Sequence, residues 1–247
     1  KPHRRRYCLN SEPDAAAAEK MADITALYRE AKTLLEAGER VISTDEMTGI
    51  QALERKHPTM AMGPGRVERR EFDYIRHGTL TLIANFDVAQ GKVVTPSMGP
   101  TRNEEDFVAH LKQTVASDTE ATRWHVVTDN LNTHQSESLV RFVAAHDGIE
   151  DNLGEKGKHG ILQSMTTRAT FLADATHQIV CHYTPKHASW MNQIEMWFSI
   201  LVRKLIKRAS FISTEDLEAK ILAFINYFNE TMAKPFKWTY LGKPLHA

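Results

Sequence analysis

Tyr183-Thr-Pro-Lys-His-Ala-Ser-Trp-Met-Asn-Gln-Ile-Glu-Met-Trp-Phe198 changes character halfway along. Its first half carries a proline and reads as extended; its second half has helical periodicity. Trp190, Ile194, Trp197, Leu201 and Leu205 recur at three- and four-residue steps, which lines one helix face with large apolar groups. Ser189 precedes that run and suits the N-cap, where its hydroxyl accepts an otherwise unpaired backbone N–H. Asn192, Glu195 and Ser199 fall on one adjacent face. A carboxylate beside a buried stripe needs a partner, because burying a lone charge is costly.

Two more carboxylates stand in comparable settings. Arg40-Val-Ile-Ser-Thr-Asp45-Glu46 reads as a short β-branched strand with an acid at its end. Trp124-His-Val-Val-Thr-Asp129-Asn130 reads the same way, then turns through Leu131-Asn-Thr-His134 into a helix. The chain holds 31 Asp and Glu, so acids alone decide nothing; their contexts do. Two strands ending in aspartate and one helix offering glutamate form a donor set for hard cations. Magnesium takes carboxylate oxygens and fills its other positions with water and substrate phosphate oxygens. Glu46 points to the other side of its strand by alternation and ranks below Asp45.

These three blocks resemble those of the D-D-E transposases, most closely the bacterial insertion-sequence (IS-six-thirty) branch of the mariner superfamily. The similarity covers nearly the whole chain. It implies an α/β, RNase H-like (retroviral-integrase-like) fold, a mixed five-stranded sheet flanked by helices. It implies that Asp45, Asp129 and Glu195 are the catalytic and metal-binding residues, holding two Mg2+ ions for which Mn2+ can substitute. The implied reaction is cleavage of transposon ends followed by 3′-hydroxyl strand transfer into target DNA, at TA sites. The implied partners are terminal inverted repeats, target DNA and a second copy in a paired-end homodimer. One departure is plain: Glu195 follows Asp129 by 195 − 129 = 66 positions, about twice the family's common spacing. An insertion lies between that strand and that helix.

Composition sets the outer bounds. At 247 residues the chain can bury a real core, and 42% hydrophobic with 25% charged residues is ordinary for a globular protein. No apolar run approaches the ~20 residues of a membrane span, and no secretory signal opens the chain. Cys8 and Cys181 form neither a metal spacing nor a disulfide framework, which fits a reducing cytoplasm; the resemblance implies a bacterial one, with the chain at the nucleoid. Lys plus Arg balances Asp plus Glu at 31 each, unusual for a DNA-binding domain. The basic residues are, however, clustered. The chain begins at Lys1, and no helix-turn-helix module of the kind the resembled family carries before this point is visible in its sequence.

Taken in order, residues 1–38 read as a basic linker and a helix, and 39–247 as the catalytic domain. The helix spans Ser11 to Ala37, with Ser11 and Asp14 suited to capping and Pro13 near the first turn. A loop over 47–75 carries Arg66, Arg69 and Arg70, and its counterparts in the resembled family clamp the partner subunit or DNA. Arg76–Asp87 and Gly91–Met98 form a hairpin about Ala89-Gln90-Gly91. Thr101–Ala116 is a helix with Glu104 at a capping-box position. Ser136–His146 is another, and 147–177 is the insertion, glycine-rich and basic at first, with a short helix over Thr166–Leu172. Gln178–Tyr183 is the fifth strand, and Thr214 starts the last helix.

The candidates for DNA contact are Arg4, Arg5, Arg6, Arg66, Arg69, Arg70, Asn130, His134, Lys156, Lys158, Lys186, His187, Asn192, Arg203 and Lys207. Each has a plainer reading: solvated tails, turn residues, or cations complementing a helix dipole. His134 lacks an i, i+4 histidine partner, so hydrogen bonding to a carboxylate or phosphate suits it better than ligation. Trp190 and Trp197 could stack on bases, but helical core positions suit their spacing. The insertion, with Ile161, Leu162, Phe171 and Leu172, is expected to form a small subdomain touching DNA or the partner; merely covering the sheet is the plainer outcome. Two rival functions fit less of the pattern: a structure-specific RNase H-type nuclease, and a domesticated, non-catalytic DNA-binding protein.

Overall fold

The computed structural model of the chain describes residues 16–240 apart from 59, 70 and 151. Five strands, β1 (Glu39–Arg55), β2 (Tyr74–Asp87), β3 (Lys92–Gly99), β4 (Arg123–Thr128) and β5 (Ile179–Tyr183), form one sheet in the order β3-β2-β1-β4-β5. β1 pairs antiparallel with β2 and β2 with β3, whereas β1–β4 and β4–β5 are parallel. Among the described residues six α-helices accompany them: α1 (Ala17–Glu36), α2 (Glu104–Ala116), α3 (Glu137–His146), α4 (Met165–Leu172), α5 (Gln193–Leu201) and α6 (Thr214–Thr231). This is the mixed five-stranded sheet flanked by helices that the sequence implied.

Alternation assigns the two faces. Ile42, Val126, Ile179 and Cys181 point into a cluster with Phe107 and Leu111 of α2, Leu139 and Val143 of α3, and Leu172 of α4. Val41 and Val127 point the other way, against Ile24, Leu27, Tyr28 and Ala31 of α1. On that second face Leu82, Ala84 and Phe86 meet Ile194, Trp197 and Leu201 of α5 and Leu217, Ile221 and Phe228 of α6.

β1 is far longer than the sequence suggested. The register against β2 shifts between Met47 and Ile50, where Gly49 takes the left-handed conformation at φ 64°. The extra residue lets Ile50 and Ala52 continue burying on the α5–α6 face after Met47. Part of the expected loop over 47–75, namely 47–55 and 74–75, is therefore strand. Residues 56–73 lie between the two strands, and that connection carries the isolated bridges Met60–Arg69 and Gly63–Arg66.

Helix starts also differ. Asn103 and Asp106 form the capping box of α2, so the helix begins after Asn103 rather than at Thr101. Ser189 does not cap the helix that carries Glu195; it opens a 3-10 turn, Ser189–Met191, and α5 begins at Gln193. The shift takes Trp190 off the buried stripe, leaving it 44% exposed while Trp197 is fully buried. A π turn, Val202–Ile206, follows α5. Ser11, Pro13 and Asp14 lie outside the described residues.

The insertion is not an appended subdomain. Leu162 and Leu172 are completely buried in the cluster of α2 and α3, and Phe171 packs against it. Arg168 is buried too, donating to the carbonyls of Gln135 at 2.6 Å and Leu162 at 3.1 Å. Its apolar positions joined the main core because β5 lies directly beneath them.

Candidate active site

Asp45 lies on the α5 side of β1. Its Oδ1 accepts from the Glu46 amide at 2.8 Å, and its Oδ2 from Asn192 Nδ2 at 3.1 Å. Asn192 Nδ2 also donates to the Thr44 carbonyl at 2.9 Å, and Ser43 Oγ donates to Asn192 Oδ1. The same Ser43 oxygen accepts from the Ile194 amide at 3.0 Å, so a strand serine satisfies a first-turn N–H of α5. Both groups are fully buried. Together they lock α5 onto β1 and so fix Glu195 relative to Asp45. Asn192 is thus no DNA contact: burial removes it from any phosphate.

Asp129 immediately follows β4. Its Oδ1 accepts from the Leu131 amide at 2.9 Å and from His134 Nδ1 at 2.7 Å. The other ring nitrogen of His134 lies 3.0 Å from Glu46 Oε1. His134 is fully buried, its ring 4.3 Å from that of Phe107, so it too is out of reach of DNA. Alternation did send Glu46 to the far side of β1, and there it orients the imidazole that orients Asp129. Burial alone would lower the His134 pKa, but hydrogen bonds and charge from Asp129 and Glu46 raise it to about 9. Burial would raise the Asp129 carboxyl; the His134 hydrogen bond and charge outweigh it and hold it below its ordinary value.

Glu195 stands in the first turn of α5, half-buried. Burial, and then the charge of Asp129, push its carboxyl up; a hydrogen bond with Asp45 partly offsets them. Asp45 rises to about 7, first through burial and next through Asp129. The three sequence-chosen carboxylates are thus brought to one end of the sheet as electrostatic neighbours. Among the described residues, no three His, Cys, Asp or Glu side chains converge closely enough to hold one ion. The donor set nonetheless suits a hard divalent cation: all oxygen, with carboxyls whose mutual repulsion such a charge would relieve.

Grooves flank the site on both sides. One, of about 440 Å3, is lined by Glu46, Met47, Thr48, Glu195, Ser199, Arg203 and Lys207. The other, of about 310 Å3, is lined by Asp129, Asn130, Leu131, Lys186, His187 and Ser189. Of the candidate DNA contacts, Arg203 and Lys207 are exposed in the first groove and Lys186 and His187 in the second. Asn130 donates to the Thr184 carbonyl at 2.5 Å and ties the two loops of that second groove. Arg66 and Arg69 stand exposed on the hairpin tip. Lys156 and Lys158 face Glu137 and Glu155 in the insertion. Arg4, Arg5, Arg6 and Arg70 lie outside the described residues. Sequence reasoning missed Ser43 altogether; a serine amid β-branched strand residues was its only signal. No described helix is long and apolar enough to cross a membrane.

Residues 40–218 match the family described as DDE superfamily endonuclease (DDE_3). No curated protein matches the chain. Among solved structures, the Mos1 mariner paired end complex with Mn is similar at 12% identity and a TM-score of 0.54. That likeness covers 90% of this chain and 58% of the other. A pre-cleavage Mos1 transpososome is similar at 11% identity and a TM-score of 0.47, over 91% of this chain and 60% of that one. The Mos1 transposase catalytic domain with Raltegravir and Mg gives 9% identity and 0.47, over 87% and 85%. The chain therefore spans about three fifths of the first two. The first likeness shows a shared RNase H-like fold.

Proposed function

Because the chain belongs to the DDE superfamily endonucleases, we propose that it is the catalytic portion of a DNA transposase of the bacterial insertion-sequence branch of the mariner superfamily. Asp45, Asp129 and Glu195 are its acting carboxylates. One observation carries this reading: β1, the end of β4 and the first turn of α5 bring Asp45, Asp129 and Glu195 to one end of the sheet, where Asn192, three residues before Glu195, donates to Asp45 Oδ2 at 3.1 Å. Two magnesium ions, or manganese in their place, would supply there charge neutralisation at a scissile phosphate and an acidified water.

The chain's own residues do the positioning. Ser43 and Asn192 fasten α5 to β1, which keeps Glu195 opposite Asp45. His134, anchored by Glu46, holds the Asp129 carboxylate in one orientation. Arg203 and Lys207 on one side, with Lys186 and His187 on the other, meet phosphates of a strand crossing the site. The reaction is hydrolysis of a phosphodiester at the transposon end, followed by attack of the freed 3′ oxygen on a target phosphodiester at a TA step. In each step one P–O bond forms as another breaks, so one in-line geometry serves both. Partners are the terminal inverted repeats, target DNA and a second copy of the chain, in the bacterial cytoplasm at the nucleoid.

The test is a joining assay with a pre-cleaved transposon-end duplex, a supercoiled plasmid and magnesium. Wild type is expected to join the two, and Asp129→Asn to lose joining with its circular dichroism unchanged. Undiminished joining by that variant would sink the carboxylate assignment. Cleavage without joining by wild type would indicate a structure-specific nuclease instead.

A further inference from the structure

Trp190 lies in the 3-10 turn between β5 and α5, and its neighbours turn inward: Met191 and Asn192 are fully buried and Ala188 nearly so. The turn is held from below. Tyr28 Oη donates to the Met191 carbonyl at 2.9 Å, and the Met191 amide to the Ala188 carbonyl at 2.9 Å. The indole is braced from the side as well. The Trp238 ring lies nearly parallel to it at 6.4 Å and 9°, and Tyr240 stands edge-on at 4.9 Å. Trp238 in turn packs edge-on against Tyr28 at 4.9 Å. The outcome is a rigid indole with 44% of the residue open to solvent.

The turn that carries it borders a groove of the site. Ser189, the adjoining residue, lines the same groove as Asp129, together with Lys186 and His187. His187 occupies the left-handed region at φ 62°, a conformation that strains a side-chain-bearing residue and that recurs at binding sites. An indole held open by a packed aromatic frame presents a large flat surface at little entropic cost. A nucleobase can cover it by stacking. Bases inside a duplex already stack on one another, so only an unpaired or splayed base has a face to offer. Lys186, exposed in that groove, meets the adjacent backbone phosphates.

We propose that Trp190 is a stacking platform for an unpaired nucleobase of the DNA strand that enters the Asp129 groove. This rests on the reading of the chain as a DNA-cleaving and joining enzyme. The test uses the full chain with a short single strand bearing 2-aminopurine, whose emission falls on stacking, and a blunt duplex of the same sequence. Trp190→Phe keeps an aromatic face; Trp190→Leu keeps apolar packing against Trp238 without one. Wild type and the Phe variant are expected to bind the single strand and quench it. The Leu variant should bind the single strand roughly 5- to 100-fold more weakly, without quenching, while duplex affinity stays within about two-fold. Equal single-strand binding and quenching by the Leu and Phe variants would overturn the proposal, leaving packing as the role. So would equal losses on single strand and duplex. Wild type that binds neither DNA would overturn the functional reading itself, and this inference with it.

Discussion

His134 joins two carboxylates from neighbouring strands, Glu46 of β1 and Asp129 just past the end of β4. A glutamine in its place can donate to one of them but not to both at that separation. Residues that orient a metal-binding carboxylate in this way are worth about 10–100-fold in metal affinity or activity. His134→Gln is therefore expected to raise, by roughly that factor, the magnesium concentration giving half-maximal cleavage. An unchanged magnesium dependence in a folded variant would show that Asp129 needs no such support. At this scale the sequence was most legible where a residue type met a strand end or a helix turn, which is how Asp45, Asp129 and Glu195 stood out. Asn192 and Ser43 were not legible as a pair, because they lie 149 positions apart and meet only through folding. Asn192 read as a neighbour of Glu195 on a helix face. Its amide instead turned inward, since helix α5 begins one residue later.

Element boundaries moved wherever one local signal hid another. Gly49 fell inside the loop expected over 47–75, and in the fold it is the bulge that lets β1 continue. Its left-handed φ of 64° asks for glycine, and a Cβ added there would meet nothing within 4 Å. Gly49→Ala should then carry only the backbone cost of that conformation, about 1–2 kcal/mol. For a domain of this size that is a fall in Tm of roughly 2–8 °C. No change in Tm would mean the bulge relaxes without its left-handed residue. Trp190 shows the converse failure: its spacing from Ile194 and Trp197 fits a helical stripe, yet the 3-10 turn before α5 breaks the period. Periodicity alone could not register that break, because it resides in the backbone of Ser189–Met191.

Across the whole molecule, the mixed five-stranded sheet was implied by the family resemblance and most strands by their alternating patterns, whereas the order β3-β2-β1-β4-β5 emerges only from the pairing of residues far apart in the chain. The insertion was not readable in advance, because its glycines and lysines signal loop while its apolar residues signal core. Two consequences of overall burial can be tested. His110 of α2 is buried, with Nδ1 2.8 Å from Ser97 Oγ, and burial lowers its pKa to about 3. The unfolded chain takes up this proton near pH 6.5 and the native state does not, so its contribution to stability is present above that pH and lost as pH falls towards 3. Asp45, raised to about 7, acts with the opposite sign, so the informative quantity is the difference between wild type and His110→Phe. That difference should shift in favour of the variant by up to about 1.4 kcal/mol per pH unit below 6.5, measured by urea unfolding. A constant difference would mean His110 titrates alike in both states.

Removal of the insertion is the stronger test of how the molecule holds together. Leu162 and Leu172 are both fully buried beside Ile179 of β5 and Val143 of α3. Emptying one such leucine site costs about 2–5 kcal/mol, and emptying both approaches the 5–15 kcal/mol that typically separates folded from unfolded. Arg168 adds a second dependence, since its donors satisfy the carbonyls of Gln135 and Leu162, and Gln135 belongs to the turn that presents His134. Replacing 152–176 by a short glycine-containing connection should therefore give a chain that aggregates or unfolds well below the wild-type temperature. Leu162→Ala, a milder version, should lower stability by about 2–5 kcal/mol while leaving DNA joining measurable at low temperature. A shortened chain that melts at the wild-type temperature would show that 152–176 contribute no core, and that α3 and β5 close over one another without them.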